Sequence, residues 1–371
     1  MRSVLQWMLV SAGVLMAGGT ALGFSRSPHW FVRGWDFPRA QIASIAGLAG
    51  LLYYAFFFQG RAWEWVFLSA VALTVAWQCI KIRPFTPLAS VQVERADHAR
   101  VQRREDATLR LLICNVLMEN RDHARFLRTV RKHDPDVVLA LETDAAWVRA
   151  LEPLARTHPH TVLQPQDNHY GLALFSRLPL VEPHVRFIVQ DDIPSVHTGI
   201  TLRSGDRIVL HGLHPRPPEP IGDQDSTPRD AELVLVGREI GEGEEVPTVV
   251  AGDLNDVAWS PTSELFLRLS GLLDPRVGRG LFNSYNANNP LFRFPLDHVF
   301  HSGHFQLVEL RRLEAVGSDH FPLLIRLLYA PEARQEQPET PRKPGDLEDA
   351  EERVQEEMEA ARTGDDRPSR E

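Results

Sequence analysis

The chain has 371 residues, which is long enough for one catalytic domain with additional segments. Its net charge of −9 comes mainly from residues 331–371, where fourteen acidic and seven basic residues give −7 and leave only −2 for the rest. Two cysteines, Cys79 and Cys114, exclude a disulfide framework and a zinc site built from cysteines. No block of lysine and arginine indicates a nucleic-acid surface.

Three apolar stretches open the chain, at residues 4–24, 40–60 and 62–80. Each is close to the roughly 20 residues that a helix needs to cross a bilayer. Small residues recur within them at four-residue spacing, and tryptophans lie at their edges, as in packed membrane helices. Residues 1–83 are therefore predicted to be a three-helix transmembrane region. A buried hairpin of a soluble protein, or a cleaved signal peptide for the first stretch alone, are the alternatives.

Charge near the apolar stretches bears on the orientation in the membrane. The loop 25–39 and the segment after the third stretch carry five basic residues, against two on the other face. The positive-inside rule then favours a cytoplasmic catalytic domain. The chain is predicted to be an integral protein of a bacterial-type inner or plasma membrane, and the small margin leaves the side of its catalytic domain open.

Residues 84–106 are polar and are predicted to be a linker. Residues 107–329 alternate strand-like apolar runs with helical patterns, which predicts a layered α/β domain. The expected strands are 109–115, 137–142, 171–176, 208–214, 248–253, 296–301 and 323–328, and the expected helices are 121–132, 229–240 and 260–269. Residues 330–371 lack apolar residues to bury and are predicted to be a disordered acidic tail, with at most a transient, solvated helix at 347–362.

Polar residues stand at the ends of the expected strands. Asn115, Glu142, His214 and Asp253 each end one, while Asp319 and His320 come just before another. Together they predict polar groups gathered at one rim of a sheet. Their carboxylate and amide oxygens suit Mg²⁺ or Mn²⁺. Each residue alone has a structural alternative, such as a turn, a helix cap or a core histidine.

Six segments resemble, in order, the motifs of the endonuclease/exonuclease/phosphatase superfamily. The two most diagnostic are GDLN at 252–255 and GSDHFP at 317–322. The others are Asn115 with Val116, Glu142 at its strand end, YGLALFSR at 170–177 and LDHVF at 296–300. The resemblance covers about 109–328. It implies an α/β (α+β) four-layer sandwich, with two central β-sheets flanked by helices, here preceded by the three-helix transmembrane anchor.

The resemblance also implies a role for each matched residue. Asn115, Glu142 and Asp319 would hold Mg²⁺ or Mn²⁺. Asp253 would activate the attacking water, Asn255 would hold the phosphate, and Asp297 would orient His320, which would stabilise the transition state. His214 would lie near the leaving group. Asn168 and Tyr170 would line the substrate pocket, and Arg229 opens a helix without a clear role.

The expected activity is metal-assisted, in-line hydrolysis of a phosphate ester by a membrane-anchored phosphoesterase or phosphodiesterase. Three membrane spans would hold the site near a bilayer, so a lipid-linked or small-molecule ester is the expected substrate, with the bilayer itself as partner. A membrane-tethered Mg²⁺-dependent nuclease is an alternative, although nucleic acid is not favoured because no basic stripe is present. An inactive scaffold is the third hypothesis.

Overall fold

The computed structural model describes residues 1–220, 224–337 and 339–363. Three long helices dominate its first part: α1 Arg2–Leu22, α3 Arg39–Phe57 and α4 Ala62–Ile82, with the short helix α2 Trp30–Gly34 between the first two. By length and composition, all three are able to cross a membrane. At most about a third of each apolar stretch is buried inside the protein. The uncovered apolar surface is what helices in contact with lipid present.

In the part of the chain that the structure describes, eleven strands and six further helices follow. The strands are β1 Thr108–Asn115, β2 Val137–Leu141, β3 His160–Gln164, β4 Leu172–Ser176, β5 Leu180–Phe187, β6 Pro194–Thr201, β7 Arg207–Leu213, β8 Thr248–Asp253, β9 Asp297–His301, β10 Phe305–Arg312 and β11 Leu323–Tyr329. The helices are α5 His98–Arg103, α6 His123–His133, α7 Ala145–Leu151, α8 Thr227–Glu242, α9 Pro261–Ser270 and α10 Asp346–Thr363.

The strands form two mixed sheets that pack face to face. One has the order β10-β11-β1-β2-β4-β3 and the other the order β5-β6-β7-β8-β9. Alternate residues of the central strands, such as Leu111 of β1 and Val249 of β8, meet in the core between the sheets. The outer face of the first sheet packs against α6 and α7, and that of the second against α8 and α9. The predicted four-layer sandwich is confirmed.

The helices α1–α4 pack directly against the sandwich. The indole N–H of Trp259 donates to the carbonyl oxygen of Asp36, at 2.7 Å. The rings of Phe37 and Phe294 meet edge to face at 5.8 Å, and Lys81 pairs with a carboxylate of α9 at 2.6 Å. The segment between α2 and α3 is therefore part of the wall of the catalytic domain.

The C-terminal segment differs from the predicted disordered tail. Among the described residues, α10 packs against α8 and α9, with Ala350 fully buried beside Leu265 and Leu269. Arg353 pairs with the buried Asp230 at 3.0 Å. The apolar contact of Ala350 and the ion pair of Arg353 thus keep α10 against the domain, although its charged composition alone favours a solvated helix. Residues 364–371 of the predicted tail, and residue 338, lie outside the described residues.

The predicted linker is also more ordered than its polarity indicates. Val93 and Val101 are buried, and the backbone N–H of Glu94 donates to the side chain of Gln337 at 2.5 Å. The segment contains α5 and runs along β10, where Leu307 exchanges backbone hydrogen bonds with it. Residues 84–106 therefore cover one edge of the first sheet.

Candidate active site

The parallel strand pairs gather polar residues at one rim of the sandwich. β1 pairs with β2 in parallel, and β7 pairs with β8 in parallel, so their carboxyl ends lie together. Asn115 ends β1, Glu142 follows β2, His214 follows β7 and Asp253 ends β8. Because apolar runs drive each strand into the core, the first polar residue after each run emerges at this rim.

Asp253 lies at the centre of the rim. Its carboxylate accepts from the Nδ2 of Asn115 at 3.1 Å and from the backbone N–H of Asn255 at 3.0 Å. The Nε2 of His320 lies 3.5 Å away. Asp253 is only 1% exposed, and this burial raises the pKa of its carboxyl, against the lowering effect of His320. A buried carboxylate with a raised pKa is a better proton acceptor than one in water.

Glu142 faces Asp253 across the side chain of Asn115. The Nδ2 of Asn115 donates to Glu142 Oε1 at 2.7 Å, and its Oδ1 accepts from the backbone N–H of Leu117. Burial raises the pKa of Glu142 to about 7. No lysine or arginine of the described chain forms an ion pair with this carboxylate within 4 Å. A divalent cation would supply the missing positive charge.

His320 forms a buried pair with Asp297. Its Nδ1 donates to Asp297 Oδ2 at 2.7 Å, on the side of the ring opposite Asp253. Burial opposes a charge on His320, but the carboxylates of Asp297, Asp253 and Asp319 raise the pKa of the imidazole to about 10. His320 is therefore an imidazolium whose Nε2–H is aimed at the centre of the site. The hydroxyl of Ser318 fastens this loop to β1 by donating to the carbonyl oxygen of Asn115, at 2.8 Å.

His214 and Tyr170 form another part of the rim. Their rings lie 5.4 Å apart, and His214 Nε2 is 3.9 Å from an oxygen of Asp253. Burial lowers the pKa of His214 to about 4, so its ring is neutral. Within the described chain its Nδ1 has no hydrogen-bond partner. A buried imidazole nitrogen in this state is available to a ligand.

Two predicted residues do not line the cavity that these groups surround. The Nδ2 of Asn168 donates to the carbonyl oxygen of Asp192, and its Oδ1 accepts from the N–H of Tyr170. Asn168 thus shapes the loop before β4 instead of facing the predicted substrate. Asp297 lies behind His320. The cavity, of about 440 Å³, is lined by the other eight predicted residues: Asn115, Glu142, Tyr170, His214, Asp253, Asn255, Asp319 and His320.

Arg229 holds the backbone of Asn255. This arginine is 1% exposed, pairs with Asp230 at 2.7 Å and with Asp256 at 3.5 Å, and donates to the carbonyl oxygen of Asn255 at 2.8 Å. Asn255 has a φ of 50°, a left-handed conformation that favours glycine and asparagine. Its Nδ2 donates to the carbonyl oxygen of Pro215. Arg229, to which the sequence pattern assigned no clear role, therefore positions Asn255.

Several cavity residues were not predicted. Tyr285 places its ring 5.0 Å from that of His320. His169 pairs with Glu119 at 2.7 Å. These two residues and Glu142 form one of two groups, among the described residues, whose potential metal-ligand atoms lie within 4.8 Å of one another. The other group is Asp253 with Asp297 and His320. Phe37 reaches the cavity from the segment between α2 and α3, and nothing local in the sequence marks it.

The site fits a divalent metal ion. Carboxylates of Glu142, Glu219, Asp253 and Asp319 line the cavity, and no lysine or arginine is among its described lining residues. Most of the donors are hard oxygen atoms of carboxylate and amide groups, which suit Mg²⁺ or Mn²⁺. A phosphate could approach so many negative charges only with a cation between them.

Comparison with known protein families assigns the chain to one of them. The model of the Endonuclease/Exonuclease/phosphatase family matches residues 112–320, more than half of the 371-residue chain. The chain therefore belongs to the Endonuclease/Exonuclease/phosphatase family and is a hydrolase acting on phosphoester bonds. Members of this family commonly use divalent metals. A comparison with curated proteins finds no match.

Solved structures of this family resemble the sandwich. An endonuclease/exonuclease/phosphatase from Beutenbergia cavernae is 19% identical, with 60% of this chain and 72% of that chain aligned and a TM-score of 0.48. The human Nocturnin catalytic domain is 16% identical over 60% and 95% of the two chains, with a TM-score of 0.47. D. rerio TDP2, solved with a single-strand DNA product, is 19% identical over 60% and 99%, with a TM-score of 0.48.

Proposed function

We propose that the protein is a membrane-anchored hydrolase that cleaves a phosphate ester, lipid-linked or small, with Mg²⁺ or Mn²⁺ in the cavity. One observation carries the proposal. Four carboxylates line a cavity that has no lysine or arginine among its described lining residues, while His320 is held charged by Asp297. Such a cavity stabilises a phosphate only when a metal ion is bound.

The residues divide the chemistry among them. Glu142 and Asp319, with Asn115, would hold the ion, which neutralises charge on the phosphate. Asp253 takes a proton from the attacking water, and the Nε2–H of His320 donates to the phosphoryl oxygen as negative charge grows there. Asn255 and His214 bind the ester, with Tyr170 beside them. Asp297 keeps His320 protonated and oriented.

The position of the cavity supports a substrate at the bilayer. Phe37, which lines the cavity, comes two residues before α3 begins at Arg39, one of the helices able to cross a membrane. A lipid-linked phosphate would be concentrated at that level. An integral membrane protein with its catalytic domain packed against the bilayer is the arrangement that follows.

The test is a substrate panel on the full chain in lipid nanodiscs, with a lipid-linked diphosphate, a soluble phosphodiester and plasmid DNA, each with Mg²⁺, Mn²⁺ or a chelator. Asp253→Ala and His320→Ala should each lower turnover at least about a hundredfold. His304→Ala and Asp206→Ala, which lie outside the cavity lining, are the matched controls and should keep the wild-type rate. Wild-type rates in the first two variants would refute the assignment, and preference for plasmid DNA would favour the tethered nuclease.

A protease-accessibility assay on inverted and right-side-out vesicles gives the topology. We expect cleavage of the catalytic domain only where the cytoplasmic face is exposed, as the excess of basic residues near that face predicts. Cleavage in right-side-out vesicles alone would place the domain on the other side.

A further inference from the structure

A second cavity, of about 240 Å³, lies between the helices of the anchor and the sandwich. Phe37 lines both this cavity and the active-site cavity. One wall of the second cavity is formed by Ala40 and Gln41 of α3, and another by Arg293 and Arg312 of the catalytic domain. The cavity is thus bounded by a helix able to span the membrane and by two cationic side chains.

The loop between Tyr285 and Phe294 carries an exposed apolar tip, formed by Leu291 and Phe292, beside this cavity. Leu291 is 74% exposed and Phe292 is 53% exposed. The Nε2 of Gln41 donates to the carbonyl oxygen of Leu291 at 2.7 Å. Gln41 lies in the first turn of α3, so this hydrogen bond fixes the tip at the height where α3 would enter the bilayer.

Two arginines beside the tip carry uncompensated positive charge. The guanidinium groups of Arg293 and Arg312 lie over the ring of Phe321, at 5.0 and 4.4 Å. In the described chain, neither forms an ion pair with a carboxylate, and their protein acceptors are backbone carbonyl oxygens such as that of Asn283. Burial and the charge of Arg293 lower the pKa of Arg312.

An anion between the two guanidinium groups would balance their charge. An anionic phospholipid matches both the arginine pair and the apolar tip. Its phosphate would face Arg293 and Arg312, and its apolar chains would face Leu291 and Phe292. A soluble phosphate would satisfy the arginines but would leave Leu291 and Phe292 in water. Charge complementarity and the contact with α3 therefore select a lipid headgroup over a free ion.

We propose that Arg293 and Arg312 bind the headgroup of an anionic phospholipid while Leu291 and Phe292 enter the bilayer interface. This inference rests on the membrane anchoring proposed above and is independent of the catalytic assignment. The site would hold the active-site opening against the bilayer at the place where Phe37 separates the two cavities. Each arginine near an anionic surface strengthens binding by about fivefold.

The experiment uses the full chain with Cys79→Ala and Phe292→Cys, labelled with a fluorophore that responds to polarity; Cys114 is buried. The protein is reconstituted in phosphatidylcholine vesicles that contain increasing phosphatidylglycerol and a lipid-borne quencher. We expect quenching that rises with the phosphatidylglycerol fraction. A label at Val246→Cys should stay unquenched. Val246 comes just before Thr248, where β8 begins, whereas the other end of β8 is Asp253 in the active site.

Variants of the arginines test the headgroup site. Arg293→Gln and Arg312→Gln should each raise the phosphatidylglycerol fraction needed for half-maximal quenching by about fivefold. Arg311→Gln is the matched control, because Arg311 pairs with Glu309 at 3.0 Å, and it should leave that fraction unchanged.

Three results would overturn the proposal: an unquenched label at position 292, equal quenching in phosphatidylcholine alone, or an unchanged response when Arg293 and Arg312 are both replaced by glutamine. Cosedimentation with vesicles separates these results from a failure of the anchor. A protein that stays with the vesicles but shows an unquenched label disproves the lipid site alone. Because fluorescence does not depend on turnover, loss of hydrolysis leaves this test intact.

Discussion

Replacement of Trp259 by phenylalanine should loosen the anchor from the wall of the active site. The substitution keeps an aromatic ring against Phe85, 5.9 Å away, but it removes the indole N–H that donates to the carbonyl oxygen of Asp36. Trp259 is 3% exposed and Asp36 is 2% exposed, so the carbonyl group would lose its partner in a dry environment. That loss costs about 1–3 kcal/mol, and about 2 kcal/mol corresponds to roughly a thirtyfold shift in the docking equilibrium.

Hydrogen exchange measures this shift directly. Two backbone amides of the catalytic domain donate across the same junction, Ser226 to the carbonyl oxygen of Pro28 and Gly278 to that of Pro84. Both should exchange roughly thirtyfold faster in Trp259→Phe. Trp147→Phe, which loses a similar bond within the domain, is the control and should not accelerate them selectively. Unchanged exchange at Ser226 and Gly278 would refute the reasoning.

Three further predictions concern stability. Burial raises the pKa of Glu232 from 4.5 to about 8, so its contribution to stability is lost as pH rises through about 8. Glu232→Gln should therefore have a larger free energy of unfolding than wild type at alkaline pH, by up to about 5 kcal/mol, and match it near pH 4. Gly252→Ala should prevent stable folding, since its Cβ would lie 1.9 Å from the carbonyl oxygen of Leu213 and φ is +152°. Arg353→Ala should cost about 2 kcal/mol in thermal unfolding, because it breaks a buried ion pair.

Two of these predictions have a matched control. Gly205→Ala has a positive φ but open space around its Cβ, so it should cost only about 1 kcal/mol. Arg362→Ala, in the last turn of the same helix as Arg353, should leave the unfolding temperature unchanged. A pH-independent effect of Glu232→Gln, or soluble and active Gly252→Ala protein, would contradict the structural argument.

The sequence predicted the central strands because their signal is local. A continuous apolar run that stops at one polar residue, as in β1, β2 and β8, marks both the strand and the rim of the sheet. The strands β3, β5, β6 and β10 were not predicted. Three of them are edge strands, and β5 carries Glu182, Pro183 and His184 on partly exposed faces, so no apolar run announces it.

The candidate site was predictable to the extent that its residues follow strands. The structure brings Asp253 within 3.5 Å of His320 although they are far apart in the chain, and their motifs had indicated both. The contributions of Phe37 and Tyr285 depend on long-range packing that no local pattern encodes. The role of Arg229 required the structure, because its contact with Asn255 is to a backbone oxygen. The catalytic roles themselves stay predictions.

Phe37 lies just before α3, a helix able to cross a membrane, and also lines the cavity. The membrane anchoring that we propose would therefore have a kinetic consequence. A catalytic centre fastened to the plane of the bilayer meets its substrate by lateral diffusion. Turnover of a lipid-linked ester would then follow its mole fraction in the membrane, and adding inert lipid at constant total substrate would slow the reaction. The hydrolysis rate of a water-soluble ester would not change on that dilution. The response to inert lipid therefore distinguishes a substrate that diffuses within the membrane from one that diffuses in solution.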